Sequence, residues 1–304
     1  MATQKAEENK QYDYDQYGFY LPIERIQIEN KQKELKKINA RVEKWRKMLP
    51  NLTHLIKIQD KKLKERIRKG IPDGIRLKVW PVLAQIDQTK EAYSTKQFQQ
   101  LIQEQDFPYQ VDIAADLKRT FPNNQLFQNH NKTGLEALNN ILKAVSLTHA
   151  DMGYCQGLNF IAAAFMIYVN DEESYHIINS MLINYDCMKM FLDVGSIRKQ
   201  LFVHDQLVKK FLPEVAEVLQ KNCVESIFFA TGWYMTLFSS VLPFQYFLRV
   251  MDIFFNEKWK IVYRVALAIL KLKKKEILQC KSMESFAGKI KLKLSFEKLI
   301  GTNK

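Results

Sequence analysis

Residues 134–168 read GLEALNNILKAVSLTHADMGYCQGLNFIAAAFMIY, and their pattern decides the fold class. Leu135, Leu138, Leu142 and Val145 recur at three- and four-residue spacing, which puts them on one face of a helix. The run His149-Ala150-Asp151-Met152-Gly153 then reads as a loop, and a second, strongly apolar helix is expected from Gly157 to about Tyr168. Elsewhere the apolar residues keep the same period with little strict alternation, and ten glycines and eight prolines in 304 residues are few. With 47% hydrophobic and 12% aromatic residues, the chain can fill a substantial core. The expected class is all-α.

Upstream, Gly70-Ile71-Pro72 places a turn glycine and a first-turn proline before a helix whose apolar positions are Ile75, Val79, Leu83 and Ile86. Pro81 should kink it. A polar region is expected around 88–106, then a short helix near 112–119 that ends in the turn Phe121-Pro122-Asn123-Asn124. Residues 31–69 read as a basic helical arm with Trp45, Leu49 and Leu55 as apolar anchors, and 1–30 as a polar leader, partly flexible. Downstream, helices are expected to fill 174–272, the last being the apolar Val262–Leu270. Residues 226–248, SIFFATGWYMTLFSSVLPFQYFL, carry no charge and are long enough to span a bilayer. Gly232, Pro243, Gln245 and several hydroxyls favour two buried helices divided at Leu242-Pro243. The domain is expected over 70–280, with an outer limit near 300, and 281–304 is a lysine-rich segment.

The net charge of +13 is unevenly spread: −3 over 1–30, +11 over 31–69, −2 over 70–270 and +7 over 271–304. A nearly neutral core with basic flanks reads first as solvated helix faces, then as attraction to acidic membranes, and nucleic acid comes last, since no zinc-finger or RNA-binding motif is present. Cys155, Cys187, Cys223 and Cys280 are too dispersed for a disulfide framework or zinc site, and the five histidines form no ligand pair, so no metal is expected. The opening MATQKAEENK lacks the apolar core of a signal peptide, which points to the cytoplasm. There is no Walker loop and no dinucleotide fingerprint, so the chain is expected to hold no nucleotide or cofactor of its own. Cys155, without a histidine at a recognisable spacing, reads as packing and not as a nucleophile.

Two short segments stand apart: Ile113-Ala114-Ala115-Asp116-Leu117-Lys118-Arg119-Thr120-Phe121-Pro122 and Gly153-Tyr154-Cys155-Gln156-Gly157. On spacing alone, Asp116 and Arg119 are a surface ion pair on one helix face, and Gln156 is a loop hydrogen bonder or a cap. Together they resemble the IxxDxxR and YxQG motifs of TBC domains, the Rab GTPase-activating fold. Other landmarks follow in order: Lys69-Gly70-Ile71-Pro72 with Arg76 and Trp80, Asn159-Phe160, Trp233, Leu237-Phe238, Leu242-Pro243, Arg249-Val250 with Asp252, and Arg264-Val265-Ala266-Leu267. Asp15-Gln16-Tyr17-Gly18-Phe19, and Trp45 with Met48-Leu49, resemble the leaders often found before such domains. Val145 departs from the family's usual aromatic, and His149-Ala150 from its frequent proline turn; both read as packing changes.

The resemblance implies an activator that lends residues to a partner, rather than an enzyme with its own pocket. The partner would be a Rab-family small GTPase in its GTP-bound form, carrying GTP and Mg itself, and hydrolysis would end a membrane-trafficking signal. Arg119 would be the arginine finger, an effect worth about 10³–10⁵ in rate, with a planar guanidinium that Lys118 cannot replace. Gln156 would position the attacking water, and Asp116 would orient Arg119. Gly153 and Gly157 would allow a tight backbone near the partner's nucleotide. Tyr154 and Gly157 would support the site, Tyr154 as a packing residue like Trp80, Trp233 and Phe160, and Arg76 either braces the catalytic segment or pairs on the surface. The competing reading is a Rab-binding effector or scaffold with this fold and no catalysis. The basic flanks leave a peripheral association with acidic endomembranes open.

Overall fold

The helical period of residues 134–168 reappears at the centre of the computed structural model, which describes residues 13–21, 31–128, 131–192 and 194–290. The rest of the leader, expected to be partly flexible, and the lysine run after Ile290 lie outside the described residues. A small antiparallel hairpin, β1 (Asp13–Tyr14) and β2 (Tyr20–Leu21), is followed by α1 (Lys31–Arg46), α2 (Leu52–Lys57), α3 (Lys61–Lys69), α4 (Asp73–Ala84), α5 (Ile86–Ala92), α6 (Thr95–Leu101), α7 (Gln110–Leu117), α8 (Lys132–Thr148), α9 (Leu158–Met166) and α10 (Asp171–Asn184). Then come α11 (Met188–Leu192), α12 (Val194–Phe211), α13 (Pro213–Lys221), α14 (Ser226–Met235), α15 (Phe244–Glu257), α16 (Trp259–Leu272), α17 (Lys274–Ile277) and α18 (Met283–Ile290). The fold is all-α, with the hairpin as its one addition among the described residues.

The first half gathers on two helices: α6, α7, α9 and α10 pack on α8, while α4, α5 and α9 pack on α10. α8 begins where the Asn131 side chain accepts from the Gly134 amide at 3.0 Å, an N-cap that satisfies an otherwise unpaired donor. It buries Leu138, Ile141, Leu142 and Val145, the stripe that its period requires. α9, apolar all round but for Asn159, buries Ile161, Ala162, Ala163, Ala164 and Phe165, as such a helix must. In the second half α12 packs on α13, α14 and α16, and α15 packs on α16, α3 and α4. The basic stretch 31–69 is seated on this body: Leu63 and Ile67 are buried and the Trp45 indole donates to the Gly70 carbonyl at 3.2 Å.

Two expectations change. The helix after Pro72 ends at Ala84, because Gln85 adopts the left-handed conformation at φ 57°, and Ile86 opens a separate helix. The polar region at 88–106 contains α5 and α6. Their buried residues, Ile86, Thr89 and Phe98, are too sparse to show a helical period, and α6 starts on a Ser94 cap that accepts from Gln97 N at 3.2 Å. The uncharged stretch 226–248 divides as expected into α14 and α15. No helix among the described residues is long and apolar enough to cross a membrane.

One buried carboxylate joins several of these elements. Asp252 of α15, fully buried, accepts from Ile71 N at 3.2 Å, Trp80 Nε1 at 3.0 Å and Arg249 Nη1 at 2.7 Å. It also accepts from Arg76 Nε at 3.0 Å and Nη2 at 3.2 Å. Arg76, itself buried, further meets Asp73 and the rings of Trp80 and Tyr168. Removing one partner of a buried pair leaves the other charge uncompensated. Asp252→Asn is therefore expected to cost about 3–5 kcal/mol, read as a lower midpoint in urea unfolding.

Candidate functional site

α7 delivers Arg119 to the surface while keeping its partner inside. Ile113 and Asp116 are the buried positions of α7, and the helix stops just before Arg119, whose amide donates back to Asp116 O at 3.1 Å. The Arg119 side chain is 48% exposed and that of Asp116 only 9%. Oδ1 of Asp116 accepts from Arg119 Nε at 2.8 Å and lies 2.6 Å from Nη2. Oδ2 accepts from the Tyr154 hydroxyl at 2.6 Å. Burial, with the Asp116 carboxylate next, raises the Tyr154 pKa, so the phenol remains a donor. Tyr154, expected to support the site by packing, does so through its hydroxyl, which holds the carboxylate beside Arg119.

Gln156 arrives from the other side, in the loop between α8 and α9. With its amide oxygen assigned toward the guanidinium, the orientation that satisfies both groups, it accepts from Arg119 Nη1 at 2.6 Å and also meets Nη2. The side chains of Arg119 and Gln156, 37 positions apart in the sequence, are therefore in direct contact and both exposed. Behind them lies a link that sequence reasoning missed. Thr120 Oγ1 donates to Asp116 O at 2.7 Å and accepts from Asn159 Nδ2 at 2.7 Å, while Asn159 Oδ1 accepts from Gly157 N at 3.0 Å. Thr120 and Asn159 are fully buried. A buried asparagine at the start of an apolar helix was the available signal, because such an amide must find partners.

The two glycines are crowded by the chain itself. Gly157 has φ 112°, and a Cβ there would stand 2.8 Å from the Met235 carbonyl oxygen. Gly153, at φ 65°, leaves no room for a Cβ beside the Tyr109 ring. Both positions exclude side chains on conformation and on space. Arg76 is not brought to the site: it belongs to the buried Asp252 network, neither bracing Arg119 nor pairing on the surface. Burial, then the Asp116 carboxylate, pushes the Cys155 thiol up to about 11, which keeps it protonated and a poor nucleophile at neutral pH. The two departures fill core space. Val145 is buried, and His149 Nε2 lies 2.6 Å from Asn179 Oδ1.

The arrangement presents a planar cation and a neutral amide side by side at the surface, both fixed from behind. Such a pair can offer several donors to an anion and orient a water, without a general base. Tyr154→Phe keeps the ring but strips one donor from a nearly buried carboxylate. Unfolding in urea should show a loss of about 1–3 kcal/mol.

The RabGAP-TBC family pattern, the Rab-GTPase-TBC domain, matches residues 73–278. The chain is 31% identical over 258 residues to growth hormone-regulated TBC protein 1 of Xenopus tropicalis, covering 84% of this chain and 75% of that protein. It is 28% identical over 238 residues to the human ecotropic viral integration site 5 protein homolog, covering 77% of this chain but 29% of that longer protein. Among solved structures, the flagellar RabGAP TBC domain of Chlamydomonas aligns with a TM-score of 0.71 at 24% identity, over 92% of this chain and 93% of that one. The Ypt/Rab-GAP domain of Gyp1p aligns with a TM-score of 0.66 at 18% identity, over 83% and 91%. These two likenesses concern the fold, and the family match and the Xenopus relative settle membership: the chain belongs to the Rab-GTPase-TBC domain family.

Proposed function

We propose that this chain binds a Rab-type GTPase in its GTP-bound form and accelerates hydrolysis by inserting Arg119 and Gln156 beside the γ-phosphate. One observation carries the reading: the two side chains touch at the surface while Asp116, Tyr154, Thr120 and Asn159 anchor their backbones and bases from within. GTP hydrolysis needs positioning and charge compensation more than proton transfer. Arg119 supplies the charge, with Nη1 and Nη2 turning from the Gln156 oxygen to phosphate oxygens. Asp116 keeps its hold on Nε, so the guanidinium arrives oriented and loses little freedom on docking. Gln156, released from Arg119, uses its amide to hold the attacking water in line. GTP and Mg²⁺ belong to the partner, and this chain contributes no nucleotide site.

Single-turnover GTP hydrolysis across a panel of Rab proteins tests the proposal. The intact chain should accelerate at least one member, and Arg119→Ala should lower that acceleration about 10³-fold. Gln156→Ala should cost about 10²-fold or more, as removal of a transition-state hydrogen-bonding group does. Gln156→Ala should melt close to the wild type, because exposed truncations away from buried networks rarely destabilise; Arg119→Ala, which takes the cation from the nearly buried Asp116 carboxylate, should melt lower and is assayed well below its midpoint. No acceleration of any Rab by the intact chain would refute the reading.

A further inference from the structure

The short hairpin at the N-terminus ends directly on the segment that carries Arg119. Its turn is self-contained: Asp15 Oδ1 accepts from Tyr17 N at 2.8 Å and Phe19 N at 2.9 Å, and Gly18 takes φ 83°. From there its backbone reaches residues 123–125. Gly18 O accepts from Gln125 N at 2.9 Å and Tyr20 N donates to Asn123 O at 3.1 Å, with Phe19 and Asn124 paired as an antiparallel bridge. The buried Asn124 side chain completes the seam by donating to Tyr17 O at 2.8 Å. Strand-like pairing of this kind fixes a loop that otherwise has only local bonds.

The side chains extend the connection to both fingers. The Phe19 ring meets Phe121 edge-on at 5.5 Å between centroids, and Phe121 meets Phe160 edge-on at 5.5 Å. Phe121 lies two residues after Arg119 and is held at φ 41°, a conformation that is strained for a bulky residue and persists only where surroundings enforce it. Phe160 lies four residues after Gln156. Phe244 closes the cluster, 5.1 Å from Phe19 and 5.2 Å from Tyr17.

We propose that Tyr17-Gly18-Phe19-Tyr20 is a positioning element for the reaction, with Phe19 bracing Arg119 through Phe121 and Gln156 through Phe160. The inference rests on the activator reading above, and adds that residues far upstream of both motifs set the height and direction of the two fingers. An arginine displaced by about 1 Å can forfeit about 10²-fold in rate, whereas docking depends on the wider surface. Loss of the brace therefore lowers the rate within the complex and spares its formation.

Two measurements on the full chain test this. With a responsive Rab in single-turnover hydrolysis, Phe19→Ala should lower the rate at saturating activator at least about tenfold, and change the half-saturating concentration less than about twofold. A purely structural role would reduce the competent fraction, raising the half-saturating concentration and leaving the saturated rate intact; that pattern, or no change, overturns the proposal. Gly18→Ala is the second variant, since Gly18 holds φ 83°, a conformation that an alanine adopts only with strain, so the turn and its seam with 123–125 loosen while the aromatic side chains are kept; the same split is expected. Independently of any GTPase, amide hydrogen exchange over 119–128 and 153–160 should quicken about tenfold or more in either variant while α12 and α16 stay unchanged. Unaltered exchange there sinks the brace whatever the kinetics show. A wild-type chain that activates no Rab defeats the activator reading alone, and the exchange result then decides the brace.

Discussion

The carboxylate of Asp116 sits almost out of reach of solvent, with a half-exposed arginine on one oxygen and a phenol on the other. A charge in that position must be compensated, since burying it unpaired would cost several kcal/mol. The compensation dictates the layout of the site. Arg119 has to lie across the end of α7, and Tyr154 has to bring the loop before α9 close enough to donate. Gln156, two residues beyond Tyr154, then falls beside the guanidinium. The joining of two distant segments at the surface is the consequence of satisfying one buried acid between them.

The scaffold that makes this geometry affordable is the packing of α7 and α9 on α8. α8 carries no candidate finger, but its buried stripe fixes the distance between the two segments that do. A second buried acid, Asp252, works the same way at the opposite problem. It binds the residues around Gly70, the start of α4 and the body of α15 into one unit, so that the landmarks Arg76, Trp80 and Asp252 prove to be one network rather than separate features. Both acids convert the cost of burial into a constraint on where helices meet.

Much of this was legible beforehand because helical period survives in the sequence. The stripe Leu135, Leu138, Leu142 and Val145 located α8, and Leu242-Pro243 marked the break before α15. Arg119, Gln156 and Asp116 were legible as motif residues. The motif said nothing of Gln156 resting on Arg119, since side-chain contact between segments has no local signature. Helices α5 and α6 escaped notice for the converse reason: with Ile86, Thr89 and Phe98 as their buried residues, they borrow stability from α8 and α10 instead of displaying a stripe. Tyr154 looked like packing because an aromatic ring advertises area, and the use of its hydroxyl appears only when Asp116 is placed beneath it. Gly153 and Gly157 were correctly suspected of tight backbone, but the crowding comes from Tyr109 and Met235 of the chain itself.

If Arg119 and Gln156 act as proposed, on a state that exists only during hydrolysis, the chain must bind a transition-state mimic more tightly than either ground state. The direct measurement is the affinity of this chain for a responsive Rab loaded with GDP, with GDP and aluminium fluoride, and with a non-hydrolysable GTP analogue. Binding should be tightest, by about 10²-fold or more, with aluminium fluoride, a preference that disappears in Arg119→Ala. Equal affinity for all three states, or a preference that survives the loss of Arg119, would contradict the proposal.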